Sequence, residues 1–237
     1  MKIVENKKTI DRGAKIGRYT FFASLIIFGI GLYVSFTQKD STDTTVLIWT
    51  MGALIVGFIL SQISISYQNR FGRSPKPYEQ ITAALKGMGE KYTLFHYAGP
   101  VAHMLIGPTG VWAIVPFNQS GRIVFENGKW KHKGGSWLQK LFGGDNLGKP
   151  DLDADANLRD VQKSIATIFD SDPLPPAKVI LLFLNPRAEL EAEESPYPAV
   201  TLKKIKDTLR KIDKTELMSD EQTREVTRTY INLFEGK

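Results

Sequence analysis

The chain has 237 residues, 42% hydrophobic and 24% charged, a size that suits one ordinary domain plus a smaller element. It has no cysteine, which excludes disulfides, thiolate metal sites and cysteine nucleophiles; its three histidines (His96, His103, His132) are too scattered for a histidine-rich metal centre. The net charge of +6 is no general polyanion signature: residues 1–18 alone carry +4, and the chain after Arg70 holds 23 basic against 21 acidic residues.

Residues 1–18, with Lys2, Lys7, Lys8, Arg12, Lys15 and Arg18 against Glu5 and Asp11, read as a basic tail. Tyr19–Thr37 then carries no ionisable group except tyrosines, and Thr45–Ile65 carries none. Each approaches the roughly 20 residues that a helix needs to cross a hydrocarbon core. A cleaved signal peptide is the alternative for the first run. No small-x-small cleavage site follows it, however, and a second run arrives at once. Residues 19–67 are therefore expected to form two transmembrane helices, 19–37 and 45–65, in a multi-pass anchor. The link between them, QKDSTDT, is slightly acidic, whereas basic residues crowd the outer ends, including Arg70, Arg73 and Lys76. By the positive-inside rule both termini are expected in the cytoplasm of a cell-membrane protein. Ala53 and Gly57 form a small-xxx-small pair that suits close helix approach or ordinary glycine tolerance in lipid.

Residues 68–77, with two prolines, read as a linker, and 78–237 as a cytoplasmic domain. Glu79–Met88 has Ile81, Ala84, Leu85 and Met88 on one helical face. Four strand-like runs follow, Tyr92–Tyr97, Val101–Ile106, Val111–Phe117 and Arg122–Glu126, separated by Gly-Pro, Thr-Gly and Ser-Gly turns. Asp153–Phe169 is expected to be helical with an acidic first turn. Lys178–Asn185 is a continuous apolar run, the mark of a strand covered on both faces. Helices at Leu202–Lys211 and Asp220–Phe234 close the chain, the second with a capping box from Ser219 and Gln222. This order describes an α/β (α+β) domain on a mixed central sheet.

The run YTLFHYAGPVAHMLIGPTGVWAIVPFNQSGRI, with the helix before it and the later NLGKPDLDADANLRDV and KVILLFLNPRAELE, resembles the nuclease-related domain (NERD) family. The resemblance covers roughly residues 78–210 and implies a restriction-endonuclease-like fold. In catalytic members an aspartate precedes a histidine on one strand. The next strand carries a glutamate and a lysine two residues apart, before an Asn-x-Ser-Gly turn. Here the turn survives as Asn118-Gln119-Ser120-Gly121 and the histidine as His103. The aspartate position is Ala102, the glutamate position Val115 and the lysine position Phe117.

The residues themselves argue the consequence. Alternate strand positions share a face, so Ala113, Val115 and Phe117 point one way. A phosphodiester-cleaving site there needs carboxylates for Mg²⁺ and a cation beside the reacting phosphate. Alanine, valine and phenylalanine offer neither, and Phe117 is expected to pack the site shut. No catalytic residue, metal ligand or cofactor is therefore expected. An acidic residue two before a lysine occurs only at Glu5-Lys7 and Glu235-Lys237, at chain ends that read as flexible. Glu79 corresponds to the family's leading helix glutamate or is simply a residue favoured by the helix dipole. Glu126 reads as a solvated turn residue, and His103 as a hydrogen-bonded strand histidine.

Binding candidates lie in Lys129–Lys140, where Lys129, Lys131, His132 and Lys133 interleave with Trp130 and Trp137. Cations beside aromatics suit phosphate contact with base stacking, or an anionic lipid surface. A hairpin tip with its loop folded over the core accounts for the same residues. WLQKLF, with Trp137, Leu138, Leu141 and Phe142 at helical spacing, favours lipid over nucleic acid. Leu202–Lys214 reads as an amphipathic helix with a solvated basic face, and no phosphate loop, nucleophile elbow or zinc pattern occurs. The expected role is a membrane-anchored binding or scaffold module, with the bilayer and nucleic acid, anionic lipid or a protein as partners. The alternative is a metal-dependent DNA/RNA nuclease with displaced ligands.

Overall fold

The computed structural model describes residues 1–38, 44–72, 74–134, 147–170, 173–212 and 217–236. They fall into two compact units: Lys7–Lys76, and Met1–Asn6 together with the chain from Pro77 onward.

The first unit is two helices, α1 (Lys7–Thr37) and α2 (Thr44–Tyr67), followed by one π-helical turn at Gln68–Gly72. Both are long and apolar enough to cross a membrane. They pack antiparallel through small residues: the Cβ positions of Gly13, Gly17, Gly31 and Gly57 lie within 3.4 Å of Phe71, Tyr67, Ala53 and Phe28. Ala53 and Gly57 thus both sit at the helix contact. Ser64 Oγ donates to the Gly17 carbonyl at 2.9 Å and accepts from Gln68 Nε2 at 2.8 Å, so the polar groups of this seam satisfy one another. Outward, the helices present bulky apolar side chains, with Tyr33, Phe36 and Trp49 each about 70% exposed or more.

The second unit contains α3 (Pro77–Ala84), β2 (Thr93–His96), β3 (His103–Gly107), β4 (Gly110–Phe117), β5 (Gly121–Glu126), β6 (Lys129–Lys133), α4 (Pro150–Ile168), β7 (Ala177–Phe183), β8 (Ala188–Glu191), β9 (Ala199–Thr201), α5 (Ile205–Ile212) and α6 (Asp220–Glu235). It also contains an N-terminal strand, β1 (Lys2–Glu5). The main sheet is mixed, in the order β1-β2-β3-β4-β7-β9, with β1 parallel to β2 and the β2-β3-β4 meander antiparallel. β4, β7 and β9 run parallel, and a second sheet, β6-β5-β8, continues from the end of β4. Strand alternation sorts the core into two layers. Val111, Ala113, Val115 and Phe117 face Val161 and Ile165 of α4 and Val226 and Tyr230 of α6. Trp112 and Ile114 face the opposite side with Ile81 of α3 and Ile205 and Leu209 of α5. Burying each such aliphatic side chain contributes about 1.5–3 kcal/mol, so both layers stabilise the sheet.

Several expectations are corrected. Residues 1–18 are not a tail: Lys2–Glu5 is an edge strand and the helix starts at Lys7, twelve residues before the apolar run. Lys2 N donates to the Tyr92 carbonyl and Asn6 N to the His96 carbonyl, both at 2.9 Å, so Glu5 lies in an ordered strand and Lys7 opens a helix. The short strands β6, β8 and β9 go beyond the sequence reading, and the helix expected from Leu202 begins at Ile205. The Ser219–Gln222 capping box is present, with both reciprocal hydrogen bonds formed.

Candidate functional site

Val115 and Phe117 are buried in the α4–α6 layer. The Phe117 ring stacks on Phe183 of β7 at 5.3 Å, and Phe183 meets Trp130 of β6 at 6.1 Å. Trp130 in turn meets Phe125 edge-on at 5.2 Å. Four aromatic rings therefore fill the end of the sheet where the resemblance would put a glutamate and a lysine. The resemblance implies Mg²⁺ at this position, but the side chains present do not fit it: they carry no oxygen ligand and no charge. Ala102 precedes β3 and likewise offers no ligand. Among the described residues no group of three or more His, Asp or Glu side chains is placed to hold a metal ion.

His103 does not belong to that face. It alternates with Met104, which pairs with Ala113, so its side chain falls on the Trp112–Ile114 side. There its Nδ1 lies 2.9 Å from Nδ1 of His96, the residue directly across β2. His96 Nε2 completes the chain to Thr82 Oγ of α3 at 2.9 Å, and Tyr97, in a left-handed conformation with φ of 56°, sets its ring edge-on to His103. Burial holds the His96 imidazole well below its usual 6.5, at about 4. His103 is thus the hydrogen-bonded strand histidine that the sequence suggested, paired with a buried His96. The sequence reading did not single out His96, although the signal was present: two histidines symmetric about a Gly-Pro turn face each other once the flanking strands pair.

The turn Asn118–Gly121 leads from the main sheet into the small one. Asn185 Nδ2 donates to the Asn118 carbonyl at 3.1 Å, and Gly121, with φ of 87°, places its N–H on the Arg187 carbonyl. Only a residue without Cβ adopts that φ at little cost.

The binding candidates separate by strand parity. Lys129, Lys131 and Lys133 are exposed on one face of β6, and Trp130 and His132 are half-buried on the other. Trp130 donates its indole N–H to Asp151 Oδ1 at 2.7 Å, and His132 Nε2 donates to the Ser120 carbonyl at 2.6 Å. The lysines and Trp130 therefore form no mixed stacking surface, and Trp130 seals the β4 site instead. Lys131 pairs with Glu126 at 2.8 Å, which keeps Glu126 a solvated strand-end residue. Trp137, Leu138, Leu141 and Phe142 lie outside the described residues. Glu79 stands half-buried in the first turn of α3.

No known protein family, curated protein or solved structure matches the chain.

Proposed function

We propose that the chain is a membrane-anchored, non-catalytic NERD-like domain that acts as a binding or scaffold module at the cytoplasmic membrane face. The observation that carries this reading is the aromatic filling of the sheet end, Phe117 on Phe183 beneath Trp130, where hydrolysis would demand a seated cation. A buried hydrocarbon face binds no divalent ion and activates no water.

The anchor is supported by α1 and α2, whose apolar surfaces exceed what a water-soluble chain leaves uncovered. Connectivity supports their proposed sidedness. β1 precedes both helices, β2 follows both, and the two strands pair in one sheet. A chain that leaves this sheet through one span must return through the other. The basic residues at the outer ends, Lys7, Lys8, Arg12, Lys15, Arg18 and Arg70, favour the cytoplasm for that side. Protein, nucleic acid and anionic lipid are the partner classes, the exposed lysines of β6 being a contact for the latter two.

The test is chemical. Full-length protein in phosphatidylcholine nanodiscs is incubated with plasmid and single-stranded DNA or RNA in Mg²⁺ or Mn²⁺, and no cleavage is expected. Chelator-sensitive cleavage that disappears in Glu79→Gln or His103→Ala would replace this reading with a displaced-ligand nuclease.

A further inference from the structure

We infer that the cleft between β1 and α6 binds a small molecule carrying two or more phosphate groups. This rests on the binding-module reading, for which it names a ligand, and not on the chemistry of β4. The cleft has a volume of about 1060 Å³, at the upper limit of the roughly 300–1,000 Å³ typical of ligand pockets. It therefore admits a nucleotide-sized molecule.

Its charge selects the ligand. Four cations (Lys2, Lys91, Arg224, Arg228) and two acids (Glu90, Asp220) line it, a net of two positive charges. Lys91 is held by Asp220 at 2.8 Å. Lys2, Arg224 and Arg228 have no ion-pair partner among the described residues. The two arginines stand one turn apart on α6, with Thr227 between them, and Lys2 faces them from the sheet edge. Arginine's planar fork matches phosphate oxygens in pairs, and two forks a turn apart suit two adjacent phosphates better than one small anion. Ile231 and Pro108 add apolar wall for the organic part of an ester.

The frame is fixed before any ligand arrives. The capping box sets the start of α6, and the backbone N–H groups of Leu217 and Met218 both donate to the Pro108 carbonyl, at 3.0 and 2.9 Å. On the other wall, Lys2 N is tied to the Tyr92 carbonyl. Binding therefore orders exposed lysine and arginine side chains but no backbone, which spares the larger cost of folding a loop around the ligand.

Calorimetry on the full-length protein in phosphatidylcholine nanodiscs tests the inference, with inorganic phosphate, pyrophosphate, ADP and a soluble dibutanoyl phosphatidylinositol bisphosphate as probes. Saturable one-site binding of pyrophosphate and ADP, tighter than phosphate, is expected. Comparing ADP with the inositide identifies whether the phosphates come from a free ester or a lipid headgroup. Arg224→Gln with Arg228→Gln should weaken binding on the order of tenfold or more. Arg224→Lys with Arg228→Lys should recover only part of it, and melting temperatures should match wild type because both side chains are exposed. Lys203→Ala, exposed and outside the cleft, should leave binding unchanged. Absence of saturable heat with every probe, or undiminished binding in the double glutamine variant, overturns the inference. Failure here leaves the cleavage result untouched, and cleavage leaves this site standing.

Discussion

Trp130 donates its indole N–H to Asp151, tying the outer strand of the small sheet to the first turn of α4, while its ring closes over Phe183. One side chain thus performs a structural task in place of the base stacking its sequence context suggested. Trp130→Phe should keep the ring contact and cost about 1 kcal/mol for the lost hydrogen bond. Trp130→Ala should cost about 3 kcal/mol by opening a cavity above Phe183. Thermal melts of the full-length protein in neutral detergent measure both, and a Trp130→Ala variant as stable as wild type would return the residue to the surface.

The buried histidine pair gives a pH dependence of known sign. The folded state holds His96 at about 4 against 6.5 when unfolded, so the unfolded chain takes up the extra proton. This contribution to stability is complete above pH 6.5 and is lost as pH falls towards 4, to a total of about 3 kcal/mol. Unfolding of the wild type across that window should therefore be steeper than that of His96→Gln, whose amide keeps hydrogen-bonding capacity without titrating there. Parallel curves for the two proteins would contradict the lowered pKa of buried His96.

The N-terminal strand is an integral part of the sheet. Lys2 and Asn6 donate to the Tyr92 and His96 carbonyls, and by parallel alternation Val4 donates between them. Val4→Pro removes that donor and should destabilise the sheet by about 1–3 kcal/mol. Hydrogen exchange should then rise along Thr93–His96, and unchanged protection there would disprove the pairing.

Sidedness is open to chemical labelling, because the chain has no cysteine of its own. Ser41→Cys, between the two apolar runs, should react with an impermeant maleimide in intact cells. Lys203→Cys, exposed just before α5, should react only after permeabilisation. The reverse pattern would invert the proposed orientation.

The apolar runs, the meander and the core strand β7 were legible because each carries its period or its lack of one in a single continuous segment. β1 was not. Lys2–Glu5 is a four-residue run beside many cations, and only the distant β2 edge makes it a strand. The apolar face of β4 was equally legible, since strand parity alone puts Val115 and Phe117 together. Parity also separates His103 from them, but that required the register with Met104 and Ala113. The cleft at α6 lay beyond sequence reasoning: Lys2 and Arg224 line it from positions more than two hundred residues apart.

A direct measurement of the central claim is titration of full-length protein with Mn²⁺, followed by the electron paramagnetic resonance signal of the free ion. With hydrocarbon filling the end of β4, the free-ion signal should track added metal with no saturable loss of one equivalent per chain. Uptake of one Mn²⁺ per chain, abolished by Glu79→Gln and accompanied by strand cleavage, would contradict it.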